Sequence, residues 1–170
     1  ELARDYLWRV HAAVPARGEI GIFNRSHYED AVTVRVLGLA PKAVTDRRPA
    51  HIREWERMLH DEGTTIVKVF LNVSKERQRE RLQERVDDPA KRWKFNPHDL
   101  EMRALFDDYI AAYERVIGET STEWAPWHVV PADRNWVKSL AVAELLLDAL
   151  ERIDPQRPPP PPGIEGVTVP

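Results

Sequence analysis

Apolar positions at the start of the chain recur with a helical period: Leu2, Tyr6, Leu7, Val10 and Val14 predict a helix over residues 2–14, which Pro15 ends. A turn at Gly18 leads into Glu19-Ile20-Gly21-Ile22-Phe23, a short apolar run with the character of a buried strand. Residues 31–37 fit two periods: Val32, Val34 and Val36 alternate as in a strand, yet the segment also continues a helix from Tyr28. Over residues 51–62, Ile52, Trp55 and Leu59 share one helical face, and Gly63 stands where a helix C-cap glycine belongs. Residues 64–73 (TTIVKVFLNV) make the clearest strand, rich in β-branched residues and nearly continuous in apolar character, as central parallel strands are.

Ser74 is placed to cap a helix that reaches about Asp87 and is broken by Asp88-Pro89. Asn96-Pro97-His98-Asp99 is a helix start, with Asn as N-cap and Pro at the first helical position, and this helix is expected to end at Gly118. Residues 127–131 (WHVVP) form a third short strand, and Asp133 is expected to cap a last helix through Leu150. Pro158 to Pro162 form an extended stretch that cannot join a core. Strands alternating with helices predict a parallel α/β sheet. Three strands are few for such a domain, which points to further strands upstream; the chain also opens on Glu1 and not Met, as a piece of a longer product or a processed chain would.

Composition narrows the chemistry. With 42% hydrophobic and 31% charged residues in 170, the chain reads as one ordinary globular domain. A net charge of −3 provides no global basic field for nucleic acid or an anionic membrane, so any anion site must come from a local cluster. The lack of cysteine excludes a disulfide scaffold, a Cys-ligated zinc site and a thiol nucleophile, and fits a reducing cytoplasm. No apolar stretch approaches the roughly 18 residues of a membrane span. No GxxxxGK[ST] loop, G-x-S-x-G elbow or metal-spaced histidine pair occurs.

Three clusters remain. Phe23-Asn24-Arg25-Ser26-His27-Tyr28-Glu29-Asp30 follows the first apolar run, where ligands bind in open α/β sheets. Its acids could hold Mg²⁺ and its arginine a phosphate, although a solvated turn with Asn24 or Ser26 as a helix cap explains the same residues equally well. In the helix after Ser74, Arg77, Arg81 and Arg85 form one stripe and Glu76, Glu80 and Glu84 the adjacent one, a pattern shared with salt-laced surface helices. Lys91, Arg92 and Lys94 then surround Trp93, and residues 74–95 carry eight basic against five acidic side chains. An arginine-rich helix and loop above strand ends suits a lid closing on phosphates. The third cluster is Asp133-Arg134-Asn135-Trp136, in which Asp133 reads as a cap and Arg134 as a residue near a nucleotide.

Three separated segments carry a family resemblance: LWRVHAAVPARGEIGIFNRSHYED, the stretch from EWERMLHDEG to FNPHDLEMR, and TSTEWAPWHVVPADRNW. Together they resemble the polyphosphate kinases of the second type, the PPK2 family, over roughly residues 5–150. The resemblance implies a P-loop kinase-like (thymidylate kinase-like) three-layer α/β/α sandwich with a helical lid, here lacking its N-terminal part. Residues 1–153 would form the kinase domain, with the lid at about 74–97 and a proline-rich tail at 154–170. It implies phosphoryl transfer between inorganic polyphosphate and AMP, ADP or GDP with Mg²⁺, by a cytoplasmic homo-oligomer.

Carried over residue by residue, Asn24 takes the Walker B Asp/Asn place, Arg25 is the phosphate-binding arginine and Glu29 the metal-binding acid, with Asp30 as the alternative. Arg81 matches the lid arginine that reaches the transferring phosphate. Lys75, Arg77 and Lys94 match neighbouring basic positions. The resemblance makes residues 27–37 helical. The phosphate loop would lie upstream of Leu2, so the chain alone would bind and transfer poorly. Two other readings stay open: an ATP-dependent nucleotide kinase of the same fold, and a non-catalytic polyanion-binding module.

Overall fold

The computed structural model describes residues 3–168. Eight α-helices and two strands occur among them: α1 (Trp8–Ala12), α2 (Glu29–Val36), α3 (Lys42–Thr45), α4 (Arg48–Asp61), β1 (Lys68–Asn72), α5 (Lys75–Asp87), α6 (His98–Ala104), α7 (Phe106–Thr120), β2 (Trp127–Pro131) and α8 (Asn135–Ile153). A 3-10 turn at Arg92–Lys94 links α5 to α6. β1 and β2 run parallel, with Lys68 beside Trp127 and Asn72 beside Pro131. A parallel pair needs a crossover, and α5 to α7 supply it.

The ambiguous segment 31–37 is helical because its buried positions are Tyr28, Ala31 and Val32, with Val36 packed beside them at helical spacing. These residues meet Ile52 of α4 and Ala112 and Val116 of α7, closing one core over the face of the sheet that carries Trp127. α8 packs against β2. Gly63 does end the segment after α4: its φ is 93°, a left-handed conformation that glycine adopts freely, and its N–H donates to the His60 carbonyl.

Several expectations need correction. Glu19–Phe23 is no strand: no described residue gives it a ladder partner, and Ile20 and Ile22 are 75% and 87% exposed. Gly21 lies so close to Pro15 that an added Cβ would stand 2.9 Å from its ring. The first helix spans only Trp8–Ala12, since the Asp5 carboxylate accepts from the Leu7 N–H and starts it late; Leu2 lies outside the described residues. The helix expected over 96–117 is two helices parted at Leu105. α6 is drawn to α5 by Arg103, which donates to the Lys75 carbonyl at 2.7 Å, while α7 follows the core. Gly118 falls inside α7. Asp133 does not cap α8; its carboxylate accepts from the Ser74 N–H at 2.8 Å.

Candidate functional site

The carboxyl ends of both strands open on one edge of the sheet, as expected of ligand sites in parallel α/β proteins. Two clefts meet there at Asn72. One, of about 370 Å³, is lined by Asn72, Ser74, Pro131, Asp133, Arg134 and Val137. The other, of about 260 Å³, is apolar and aromatic, with Phe70, Met102, Phe106, Tyr109 and Tyr113 among its walls.

The loop from Asn24 to Tyr28 leads into α2 and carries the first cluster of charges. Arg25 has φ 63°, a left-handed conformation that costs a residue with a Cβ about 1–2 kcal/mol. Its guanidinium lies 3.3 Å from the Glu29 carboxylate at the start of α2. Burial raises the Tyr113 hydroxyl above its ordinary range, the Glu29 carboxylate raises it further and Arg25 opposes, so the charges of this pair act on one wall of the aromatic cleft. Asn24 is exposed beside it. Asp30 turns away: Arg48 donates to its backbone carbonyl at 2.5 Å and lies 3.7 Å from its carboxylate. Glu29 and Asp30 therefore serve different neighbours, and no cluster of three metal-ligating side chains occurs among the described residues. A magnesium site needs no such cluster, since one or two carboxylates with phosphate oxygens and water suffice. Glu29 fits that requirement: its side chain is 36% exposed and paired with a single exposed arginine.

Ser74 caps α5 as the sequence predicts, its hydroxyl accepting from the Arg77 N–H at 3.1 Å. The basic excess of residues 74–95 is largely met within the chain. Arg77 pairs with Glu80 and Glu84, Lys75 with Asp107 at 2.6 Å, Arg85 with Asp99 and Lys91 with Asp88. The hydrogen bonds that Arg77 donates to the Glu80 and Glu84 carboxylates hold its guanidinium more firmly protonated. Arg81 donates to the carbonyls of Ala132 and Asp133, tying α5 to the turn after β2. Lys94 rests over the Trp93 ring at 5.1 Å, and that ring is 78% exposed. Arg134, at the N-terminus of α8, lines the first cleft; its carbonyl accepts from the Lys138 N–H, and its side chain makes no hydrogen bond or ion pair with a described residue. The structure thus brings Arg25 and Glu29 together, sets Arg134 in the neighbouring cleft, and engages Lys75, Arg77 and Arg81 in internal contacts.

Sequence reasoning missed a buried polar group at the start of β1, toward the amino ends of the two strands. Lys68 of β1 donates to Glu56 of α4 at 2.6 Å, to the Thr120 carbonyl at 2.8 Å and to the Tyr28 hydroxyl at 3.3 Å. Tyr28 in turn donates to Glu56 at 2.8 Å. All four residues are buried. Burial lowers the Lys68 ammonium from its ordinary range, and the Glu56 carboxylate opposes that shift. Burial also raises the Tyr28 hydroxyl far above its usual value, with Glu56 adding to it. The available signal was a lone lysine in the apolar run TTIVKVFLNV.

Comparison with known proteins agrees with this architecture. The family model of polyphosphate kinase 2 (PPK2) matches residues 1–158. The AMP/ADP-polyphosphate phosphotransferase of Meiothermus ruber is 57% identical over 169 residues, covering 99% of this chain and 63% of that protein. The ADP-polyphosphate phosphotransferase of Rhodopseudomonas palustris is 43% identical, covering 90% of this chain and 57% of that protein. The crystal structure of polyphosphate kinase 2 from Arthrobacter aurescens TC1 superposes with a TM-score of 0.90 at 49% identity, over 94% of this chain and 56% of that one. The fold is therefore the α/β, P-loop kinase-like fold of these enzymes. The chain belongs to the polyphosphate kinase 2 family. It spans less than two thirds of the length of these relatives.

Proposed function

We propose that this chain takes part in phosphoryl transfer between inorganic polyphosphate and AMP or ADP, with the phosphate-cradling loop supplied by sequence upstream of Leu2. The observation that carries the reading is the Arg25–Glu29 pair at the start of α2, with Arg25 held in a left-handed conformation and both charges acting on Tyr113 of the aromatic cleft. Phosphoryl transfer asks a protein mainly for positioning and charge neutralisation. Arg25 binds phosphate oxygens through its planar fork. Glu29 is the carboxylate that would hold Mg²⁺, which when bound supplies charge neutralisation across the phosphate oxygens.

Residues 74–97 act as the lid. Their arginines are neutralised in the absence of substrate by exposed ion pairs, each worth about 0–1 kcal/mol, so phosphate oxygens can replace the glutamates at little cost. Arg81 keeps the lid hinged on the β2–α8 turn or leaves it to meet the transferring phosphate. Arg134, Lys75, Arg77 and Lys94 extend the basic path. Assembly into a homo-oligomer and a cytoplasmic setting belong to the same reading. No described helix is long and apolar enough to cross a membrane.

A donor-swap assay on the full-length protein tests the proposal. Polyphosphate should phosphorylate AMP or ADP in the presence of Mg²⁺. Transfer from ATP alone would assign the site to an ATP-dependent nucleotide kinase, and salt-sensitive polyphosphate binding without turnover would make it a binding module.

A further inference from the structure

We propose that Lys68 is a positioning residue for the loop Asn24–Glu29, acting through Glu56 and Tyr28; the inference rests on the phosphoryl-transfer reading above. A lysine facing the core from a parallel strand is unfavourable, and an apolar side chain of similar volume would serve stability as well or better. Lys68 nevertheless directs its ammonium to three acceptors, on α4, α7 and the residue before α2. One Glu56 carboxylate thus holds β1 through Lys68 and the start of α2 through Tyr28.

Tyr28 directly precedes Glu29, and His27 before it is wedged between Tyr28 and Trp55, with ring centroids 4.8 Å from each. Both His27 ring nitrogens are buried without a hydrogen bond, and its Nε2 lies 3.6 Å from Glu56. The ring is thus held by packing and by its proximity to Glu56. Two residues earlier, Arg25 holds its left-handed conformation, which persists only where the surroundings over-determine it. His27 and Tyr28 are the points at which the loop is fixed to the interior. The polar group therefore sets where Arg25 and Glu29 stand relative to the aromatic cleft, a role that an apolar core could not fill.

The test uses the full-length protein with the double variant Lys68→Met/Glu56→Met and, separately, Tyr28→Phe. Three quantities are read: melting temperature, amide hydrogen exchange over residues 24–30, and steady-state kinetics with polyphosphate. The double variant should melt near the wild-type temperature, exchange about tenfold faster over the loop, and lose roughly tenfold to a hundredfold in kcat while KM for polyphosphate changes little. A folded variant with wild-type loop exchange and wild-type kcat overturns the proposal. If the double variant does not fold, Tyr28→Phe, which removes one hydroxyl, decides on the same exchange and kcat readouts. If the wild-type protein transfers no phosphate from polyphosphate, the functional reading fails, and loop exchange in the variants still decides whether Lys68 positions this loop.

Discussion

Arg81 of α5 donates to the Ala132 carbonyl at 2.8 Å and to the Asp133 carbonyl at 3.2 Å, so this residue is a strut between α5 and the turn after β2. Arg81→Ala removes both bonds. It is expected to lower stability by about 1–2 kcal/mol and to reduce kcat. Arg81→Lys keeps the charge but not the fork and should recover only part of each. Denaturant unfolding and steady-state kinetics on the two variants check this. Near-normal turnover in Arg81→Ala would remove Arg81 from the transfer step.

The first turn of α5 depends on Ser74, whose hydroxyl accepts from the Arg77 N–H while its own N–H donates to Asp133. Ser74→Ala should cost about 1 kcal/mol, and Ser74→Thr much less. Amide exchange of residues 75–78 should rise in Ser74→Ala alone, which localises the effect to the cap.

Both surviving strands and most helices were legible because period and punctuation agreed: WHVVP gave β2 to the residue, and Ser74 gave the start of α5. The ambiguous 31–37 needed tertiary knowledge, namely which of Val32 and Val34 is buried. Ile20-Gly21-Ile22-Phe23 carried the pattern of a strand, but pattern cannot provide the neighbouring strand that a ladder requires. Arg25 and Glu29 could be named as a motif, whereas the Lys68–Glu56–Tyr28 group could not, because its members lie 12, 28 and 40 residues apart and meet only in the folded core.

Asp46 joins three helices through Arg35, Lys42 and Arg115. Hydrogen bonds from Lys42 and Arg35 hold its carboxyl down at about 2. A carboxyl depressed on folding contributes stability that is present above its ordinary range near pH 4 and is lost as pH falls through about 2. Wild-type protein should therefore lose more stability between those two pH values than Asp46→Asn. Thermal melts of both proteins across that range check the slope, and parallel curves would contradict the assignment.

Glu29→Gln keeps shape and removes the charge. The Mg²⁺ concentration for half-maximal turnover should rise by about tenfold, the equivalent of ~1.4 kcal/mol of lost attraction, while the melting temperature stays near wild type because the Arg25 pair is exposed. Asp30→Asn should leave the Mg²⁺ requirement unchanged, since that carboxylate is turned to Arg48.

The most direct measurement is nucleotide formation by the full-length protein from polyphosphate with AMP and with ADP, in Mg²⁺, run beside ATP with AMP and beside the Arg25→Ala and Glu29→Gln variants. The account predicts transfer from polyphosphate to at least one of the two acceptors, sharply reduced in both variants. Polyphosphate that donates to neither acceptor, or transfer that survives the loss of both side chains, would contradict it.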